Sequence, residues 1–317
     1  MKVRVASQKE WEDFVDQSPR ATFFHTYDWY SLWSQYGDYT FEARIFEFEG
    51  KPRALLPLLI GRALKGLIQT YTSSPAGTYG GYLYQANITD LEKKELAFYL
   101  KKLPILSLYQ NPFNQKIEED IRWNKKDFTQ VLDLQKGWDS IWSNWTKGHA
   151  SAAKKGIREG LVIKIAEQED WQAYFDLYQE TIQRWKEGPL SQYSWSFFER
   201  LQLLSPHRCR LWLAWNDKKP IAGCLCFYLN QHVVYWHGAS SQIDTQLRPM
   251  QTLQYHIIKG AIAEGFHWYD FNPSANIEGV IRFKKGFGAI RLDRAILEKE
   301  PWGYRLLSQL YQKLRRQ

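Results

Sequence analysis

The chain has 317 residues, about twice an ordinary domain, so it can bury a sizeable core without a disulfide staple or structural metal. Hydrophobic residues at 44% and charged residues at 24% exclude a disordered chain, and 12 Pro with 20 Gly exclude a collagen-like or low-complexity one. The excess of 42 Lys and Arg over 34 Asp and Glu, a formal +8, favours acidic partners: phosphates, nucleic acid or an anionic membrane face. In chain order, the first half predicts a strand at Lys2 to Val5, a helix with Ser7 as N-cap and a second helix following Thr26. Strands follow at Phe41 to Phe48 and Arg53 to Ile60, then a helix over Leu91 to Lys102 and strands at Ile105 to Tyr109 and Phe128 to Leu134.

In the second half, residues 141–159 read as a helix and Leu161 to Ile165 as a short strand. A long amphipathic helix runs from Asp170 to Lys186 and another covers Tyr193 to Leu204. Arg210 to Trp215 and Ile221 to Leu229 are β-rich, with Asn216-Asp-Lys-Lys-Pro220 as a hairpin signal, and Gln231 to His237 adds a third antiparallel strand. Pro249 opens a helix to Glu264, closed by Gly265, and His267 to Phe271 reads as a buried strand. A short helix over Gly279 to Phe287, a strand over Ala289 to Leu297 and a last helix, Pro301 to Arg316, complete the chain. The second half repeats the first in element order, which predicts an α/β class with mixed sheets in two similar domains, 1–140 and 141–317. The last helix can pack back on either of them.

Several function classes lack support. The three cysteines, Cys209, Cys224 and Cys226, are too few and too clustered for a disulfide framework, which points to a reducing cytoplasm. The first residues, MKVRVASQKEW, contain no apolar signal-peptide core, and the longest apolar run, Ala54 to Ile60, is too short to span a membrane. His207-x-Cys209 with Cys224-x-Cys226 invites zinc, but a C-x-C pair on a strand merely puts two thiols on one face, and buried thiols are the default reading. Gly77-Thr-Tyr-Gly-Gly81 lacks P-loop spacing, and neither a zinc-protease helix motif nor a serine nucleophile elbow is present.

Three segments carry a resemblance. Ala153-Lys-Lys-Gly-Ile-Arg-Glu-Gly160 with Leu161-Val-Ile resembles the basic helix and strand of the Fem-type peptidyltransferases. Tyr178-Gln-Glu-Thr-Ile-Gln-Arg184 is similar to that family's L-x-x-x-T-x-x-R helix. Asp270-Phe-Asn272 followed by Gly279-Val-Ile-Arg-Phe-Lys-Lys-Gly-Phe-Gly288 resembles its closing signature, D-F-G and then G-x-x-x-F-K-x-x-F-G. The family, which includes methicillin-resistance proteins and has BioF2-like relatives, implies two tandem GNAT-like acyltransferase domains. It also implies aminoacyl transfer from charged tRNA to an amine of a lipid- or nucleotide-linked peptidoglycan precursor, in cell-wall biogenesis. Here residues 160–210 leave no room for the family's long helical arm, and Tyr27 to Tyr36 offers Gln35 where the family has a phosphate-binding lysine.

By the same resemblance, Lys284 would stabilise the oxyanion formed when an amine attacks an acyl carbonyl, Phe283 would form the pocket wall, and Gly286 and Gly288 would permit close backbone approach. The plain alternative for Lys284 is a solvated lysine in the basic run with Arg282 and Lys285. Asp270, at the end of a buried strand, could orient or deprotonate the amine, or cap the turn through Asn272-Pro273. Lys147, Lys154 and Arg158, with Lys155 alongside, fall on one helical side and either hold phosphates or form a solvated face. Arg184 either binds a phosphate or carboxylate, or pairs with Glu180 at i−4.

For the donor, Gln246-Leu-Arg-Pro-Met-Gln251 replaces the glycine-rich turn of ordinary GNAT enzymes, and Pro249 has no N–H to offer a pyrophosphate. That favours aminoacyl-tRNA, with an acyl-CoA N-acyltransferase as the alternative and a non-catalytic tRNA- or precursor-binding module as a second. No resident cofactor, metal or DNA partner is expected. The chain is expected in the cytoplasm, with peripheral contact to the inner, anionic membrane face.

Overall fold

The computed structural model of the chain describes residues 1–63, 66–184 and 192–301, with 115–117 described by backbone alone. The expected helix over 301–316 lies outside the described residues. The chain divides into two compact units: unit 1 holds residues 1–20, 24–127 and those from Asp293, and unit 2 holds residues 21–23 and 128–292.

Unit 1 begins with β1 (Lys2–Val5), α1 (Gln8–Asp16) and α2 (Tyr27–Tyr36). Ser7 and Glu10 close a reciprocal capping box on α1, and the Thr26 hydroxyl caps α2, so both helices start where an orphan N–H finds an oxygen. The hairpin β2 (Thr40–Phe48) and β3 (Lys51–Ala63) turns through Glu49 and Gly50, both at positive φ (51° and 75°), the primed geometry that matches strand twist. Then come β4 (Ile68–Thr72), β5 (Leu83–Tyr84), α3 (Asp90–Tyr99) and β6 (Ile105–Tyr109). The strand order is β1-β2-β3-β4-β6, with β4 and β6 parallel.

The next elements are β7 (Lys125–Asp133), α4 (Gly137–Ser143), α5 (Lys147–Arg158) and β8 (Val162–Ile165), followed by α6 (Trp171–Arg184) and α7 (Trp195–Gln202). The helix expected over 141–159 is two helices, because the Thr146 side chain accepts from His149 N and starts α5 afresh. The meander β9 (Cys209–Asn216), β10 (Lys219–Leu229) and β11 (His232–Ser240) precedes α8 (Pro249–Ala263), β12 (Trp268–Asp270), α9 (Glu278–Lys285) and β13 (Ile290–Lys299). In unit 2 the order is β7-β12-β11-β10-β9-β8, with β11 and β12 parallel.

Each unit's last strand comes from a distant stretch of chain. Val131 to Asp133 of β7 pair antiparallel with β12, and Ile296 to Lys299 of β13 pair antiparallel with β6. Unit 1 thus closes on residues from beyond Asp293, while unit 2 closes on the strand that opens its main stretch, 128–292; the expected domains are 1–140 and 141–317. In unit 2, α6 packs on one face of β10 and β11, and α8 covers the other. Cys224 and Cys226 lie on the α8 side in a core with Leu253, Ile257, Tyr269 and Phe287. Among the described residues no helix is long and apolar enough to cross a membrane.

Candidate functional site

The signature segment of unit 2 forms the turn after β12 and the short helix α9. Asp270 is fully buried; its Oδ1 accepts from the Thr129 hydroxyl and, at 2.8 Å, from Asn272 N. The carboxylate thus caps the turn, as one of its two expected roles required. The turn is strained: Asn272, Ala275 and Asn276 sit at φ 61°, 47° and 59°, and alanine has no side-chain oxygen to ease that conformation.

Lys284, in the last turn of α9, is 4% exposed and is not the solvated lysine of a basic run. Its Nζ donates to Asn272 O at 2.6 Å and lies 3.4 Å from Pro273 O. A buried ammonium must be held by oxygens, and here backbone carbonyls of the strained turn do it. Two acceptors in this layer, Asn272 Oδ1 and Gln130 Oε1, are buried with no hydrogen-bond donor among the described residues. Gln130 reaches the same helix from β7, its Nε2 donating to Ile281 O at 3.1 Å.

α5 is clamped onto the end of α9. Thr146 N donates to Gly286 O at 2.9 Å, and His149 Nε2 lies 3.0 Å from Phe283 O. Burial lowers the His149 pKa below its usual value, against the Phe283 carbonyl, which raises it. Gly286 is glycine because a Cβ there would come within 2.3 Å of the His149 ring. Gly288 needs its φ of +77° and would meet Asn144 O at 2.9 Å. Phe283 is half-buried, with ring centroids 5.4 Å from His149 and 4.9 Å from Phe287.

The other expected residues lie further along. Lys154 and Arg158 are exposed on α5, roughly 8–14 Å along the axis from His149 at helical rise. Lys154 Nζ lies 5.8 Å from the Trp142 ring, and Arg158 is 3.5 Å from Glu159 Oε1. Lys147 is exposed and Lys155 half-buried. Arg184 does not pair with Glu180: its Nη2 donates to Ser240 O at 2.6 Å and to Thr181 Oγ1 at 3.0 Å, tying α6 to the end of β11. The three cysteines are buried free thiols, with pKa pushed up by burial, and among the described residues no three His, Cys, Asp or Glu side chains form a metal-binding group.

Sequence reasoning missed Thr129, Gln130 and His149, which join the site from other elements. No spacing signals them; Thr146 as an N-cap before His149 is the nearest clue.

Residues 147–285 match the family described as Acetyltransferase (GNAT) domain. Solved structures with the same fold include FemX, at 14% identity over 93% of this chain and 97% of the other, TM-score 0.72. L-PGS from Bacillus licheniformis is 12% identical over 98% of each chain, TM-score 0.58. A tandem GNAT protein from the clavulanic acid biosynthesis pathway is 10% identical over 95% of this chain and 99% of the other, TM-score 0.53. No curated protein sequence matches the chain. The likeness to Fem-type, GNAT-superfamily proteins read from the motifs is thus met in the fold, which is mixed α/β and tandem GNAT-like. The matched stretch, 147–285, lies within unit 2 and is similar to a GNAT acetyltransferase domain.

Proposed function

We propose that this chain is an acyltransferase that moves an aminoacyl group from aminoacyl-tRNA onto an amine of a peptidoglycan precursor. The observation that carries the reading is the buried Lys284 ammonium on α9, already engaged with two carbonyl oxygens. A cation held in a dry place can take a substrate carbonyl oxygen as it becomes an oxyanion, a contribution of roughly 3–4 kcal/mol in comparable sites. Asn272 Oδ1 and Gln130 Oε1 are acceptors with no donor among the described residues, which suits the N–H groups of an incoming amine, and Asp270, which fixes the Asn272 turn, would orient it. Phe283 supports the pocket wall, and Gly286 and Gly288 keep the α5 and α4 ends close.

The donor reading rests on the start of α8. Arg248 precedes it in the left-handed region (φ 57°) and Pro249 comes next, so no glycine turn presents free N–H groups to a pyrophosphate. α5 packs against the 3-10 turn Ile243–Leu247 there; a Cβ at Gly156 would meet Thr252 Oγ1 at 2.0 Å. Lys154, Lys155 and Arg158 on that helix supply positive charge for tRNA phosphates. α2 carries no lysine, and its Gln35 is exposed, which favours a lipid-linked over a nucleotide-linked acceptor and a place at the anionic inner membrane face. No resident cofactor is invoked. The second reading, acyl-CoA-dependent N-acyl transfer, draws on the acetyltransferase description of the matched domain.

The test is transfer by the purified full chain with a pool of charged tRNAs and lipid-linked precursor, beside an acyl-CoA panel, with Lys284→Met as control. Lysine-dependent aminoacylation supports the first reading. Thiol release from CoA alone moves the protein to the second. Tight tRNA or lipid binding without turnover, unchanged in the variant, sinks both.

A further inference from the structure

His237 lies where β11 parts from β12. Their parallel register runs from His232–Trp268 to Val234–Asp270, and β11 continues to Ser240. A register shift against β10 leaves Trp236 as an extra residue between Tyr235, opposite Cys226, and His237, opposite Leu225. Such a bulge re-aims the side chain after it. His237 is thereby turned to the α6 face of the sheet, three residues beyond the strand pair that ends at Asp270.

The surroundings are built for it. Tyr174 Oη of α6 lies 2.7 Å from His237 Nδ1. Gly223 on β10 makes room for that tyrosine, since a Cβ there would sit 2.5 Å from Tyr174 Cδ2. The rings of Tyr178, Trp236, Phe198 and Tyr193 stand 4.9, 5.6, 6.4 and 6.5 Å from the imidazole. Among the described residues, the titratable groups facing it are the phenols of Tyr174 and Tyr178 from α6 and of Tyr193; α7 offers Phe198 and β10 offers Leu225. Burial among them pushes the imidazole down to about 4. Tyr174 is pushed well up by burial and stays a phenol. The residue keeps part of its surface exposed, and Nε2 has no hydrogen-bond partner among the described residues.

We propose that His237 is the general base of the acyl transfer, with Nδ1–H donating to Tyr174 Oη and the Nε2 lone pair taking the proton shed by the acceptor amine. This rests on the acyl-transfer reading above. As the N–C bond forms at the acyl carbonyl carbon, the nitrogen becomes cationic and gives its proton to Nε2. The acyl–oxygen bond of the tRNA ester then breaks, its electron pair leaves on the oxygen, and the imidazolium returns the proton to that oxygen. Tyr174 is a positioning residue that selects the tautomer.

The first experiment needs no substrate: full-length protein with 15N-labelled histidine, the His237 signals assigned by their loss in His237→Asn. An Nδ1–H tautomer at pH 7, with Nε2 unprotonated, is expected; an Nε2–H tautomer overturns the proposal. The second is single-turnover transfer with the charged tRNAs and the acyl-CoA panel. His237→Asn, whose amide can keep the contact to Tyr174, is expected to lose roughly 10²–10⁴-fold with an unchanged melting temperature. Tyr174→Phe loses less and mixes the tautomers. Wild-type turnover by His237→Asn, in an assay where Lys284→Met is dead, removes the base and leaves the acyltransferase. Silence of the wild-type protein with every donor removes both.

Discussion

The two units share a strand plan and differ in the segment that leaves their parallel pair. In unit 1, β4 and β6 run parallel from Thr70–Ile105 to Thr72–Ser107, and the chain then passes through a 3-10 turn, Pro112–Ile117, to Glu118. In unit 2, β11 and β12 run parallel, and the chain passes through the left-handed turn at 272–276 to α9 and Lys284. Unit 1 so buries a carboxyl at 2% exposure and unit 2 an ammonium at 4%. Burial pushes Glu118 up to about 8, its Oε1 accepts from Tyr84 Oη at 3.0 Å, and its Oε2 has no partner among the described residues. The acid of unit 1 is held neutral by burial, whereas the chemistry proposed for unit 2 rests on a buried cation held by the carbonyls of the turn. One scaffold holds both, so activity has to be argued from the connection and not from the fold.

The sharpest way to break this contrast is to exchange the charged group in each unit for a neutral one of similar size. Lys284→Met is expected to lower transfer by roughly 10²–10³-fold, about 3–4 kcal/mol of transition-state stabilisation, with the melting temperature within a few degrees of wild type. Turnover at the wild-type rate would place Lys284 among structural residues and reduce unit 2 to the standing of unit 1. Thermal melting beside single-turnover kinetics separates the two cases.

Glu118→Gln is the matching change in unit 1, and it should move stability without touching turnover. An acid with its folded pKa raised binds its proton in the native state while the unfolded chain gives it up. Its contribution is therefore fully present below about 4.5 and is lost as pH rises towards about 8. The amide avoids that loss, so the variant should lie within about 1 kcal/mol of wild type near pH 5 and exceed it by about 5 kcal/mol at pH 9. Denaturant titration at the two pH values reads this directly. A pH-independent difference would mean that Glu118 is ionised in the native protein.

Much of this was legible in the sequence, and the remainder was hidden for a physical reason. The capping hydroxyls Ser7 and Thr26 and the alternation of β9 to β11 are local, and they mark their elements correctly. β4 carries Gln69 and Thr70 in only five residues, too short and polar a pattern to stand out. The Phe-Lys and Gly-Phe-Gly run pointed to Lys284, but not to its burial, which depends on carbonyls twelve residues away in the chain. Thr129 reaches Asp270 across 141 residues and Tyr174 reaches His237 across 63. Neither contact has a spacing that a sequence can display, because strand order sets it.

A smaller effect should sharpen the reading of the clamp at the end of α9, where left-handed Gly288 approaches Asn144 more closely than any described left-handed glycine of unit 1 approaches a neighbour. Gly288→Ala forces φ +77° on a residue with a Cβ and presses it on the Asn144 carbonyl, at an expected cost of about 1–2 kcal/mol. Gly50→Ala in the β2–β3 turn also sits at positive φ (+75°) but meets nothing within 4 Å, so it bears the conformational cost alone. If the two variants melt alike, the approach to Asn144 relaxes freely and the clamp is loose. If Gly288→Ala melts lower and also slows transfer, the clamp holds the end of α9 for catalysis.

The smallest expected effect concerns the basic helix, and it decides whether unit 2 alone handles phosphate. Lys155→Ala and Arg158→Ala each remove one charge from α5, on a half-buried and an exposed position respectively. Should each neutralise a tRNA phosphate, the slope of log affinity against log salt falls by about 1 per substitution, with little change in melting temperature. Lys93→Ala in unit 1 is the control, since that lysine is already paired with Asp90 at 2.8 Å on α3. Filter binding of a charged tRNA at several salt concentrations gives the three slopes. Equal slopes for all three and for wild type would make α5 a solvated face like α3. A decrease confined to Lys155 and Arg158 would set the donor on the side of α8 where glycine-free backbone cannot hold a pyrophosphate, and where side-chain cations must do so instead.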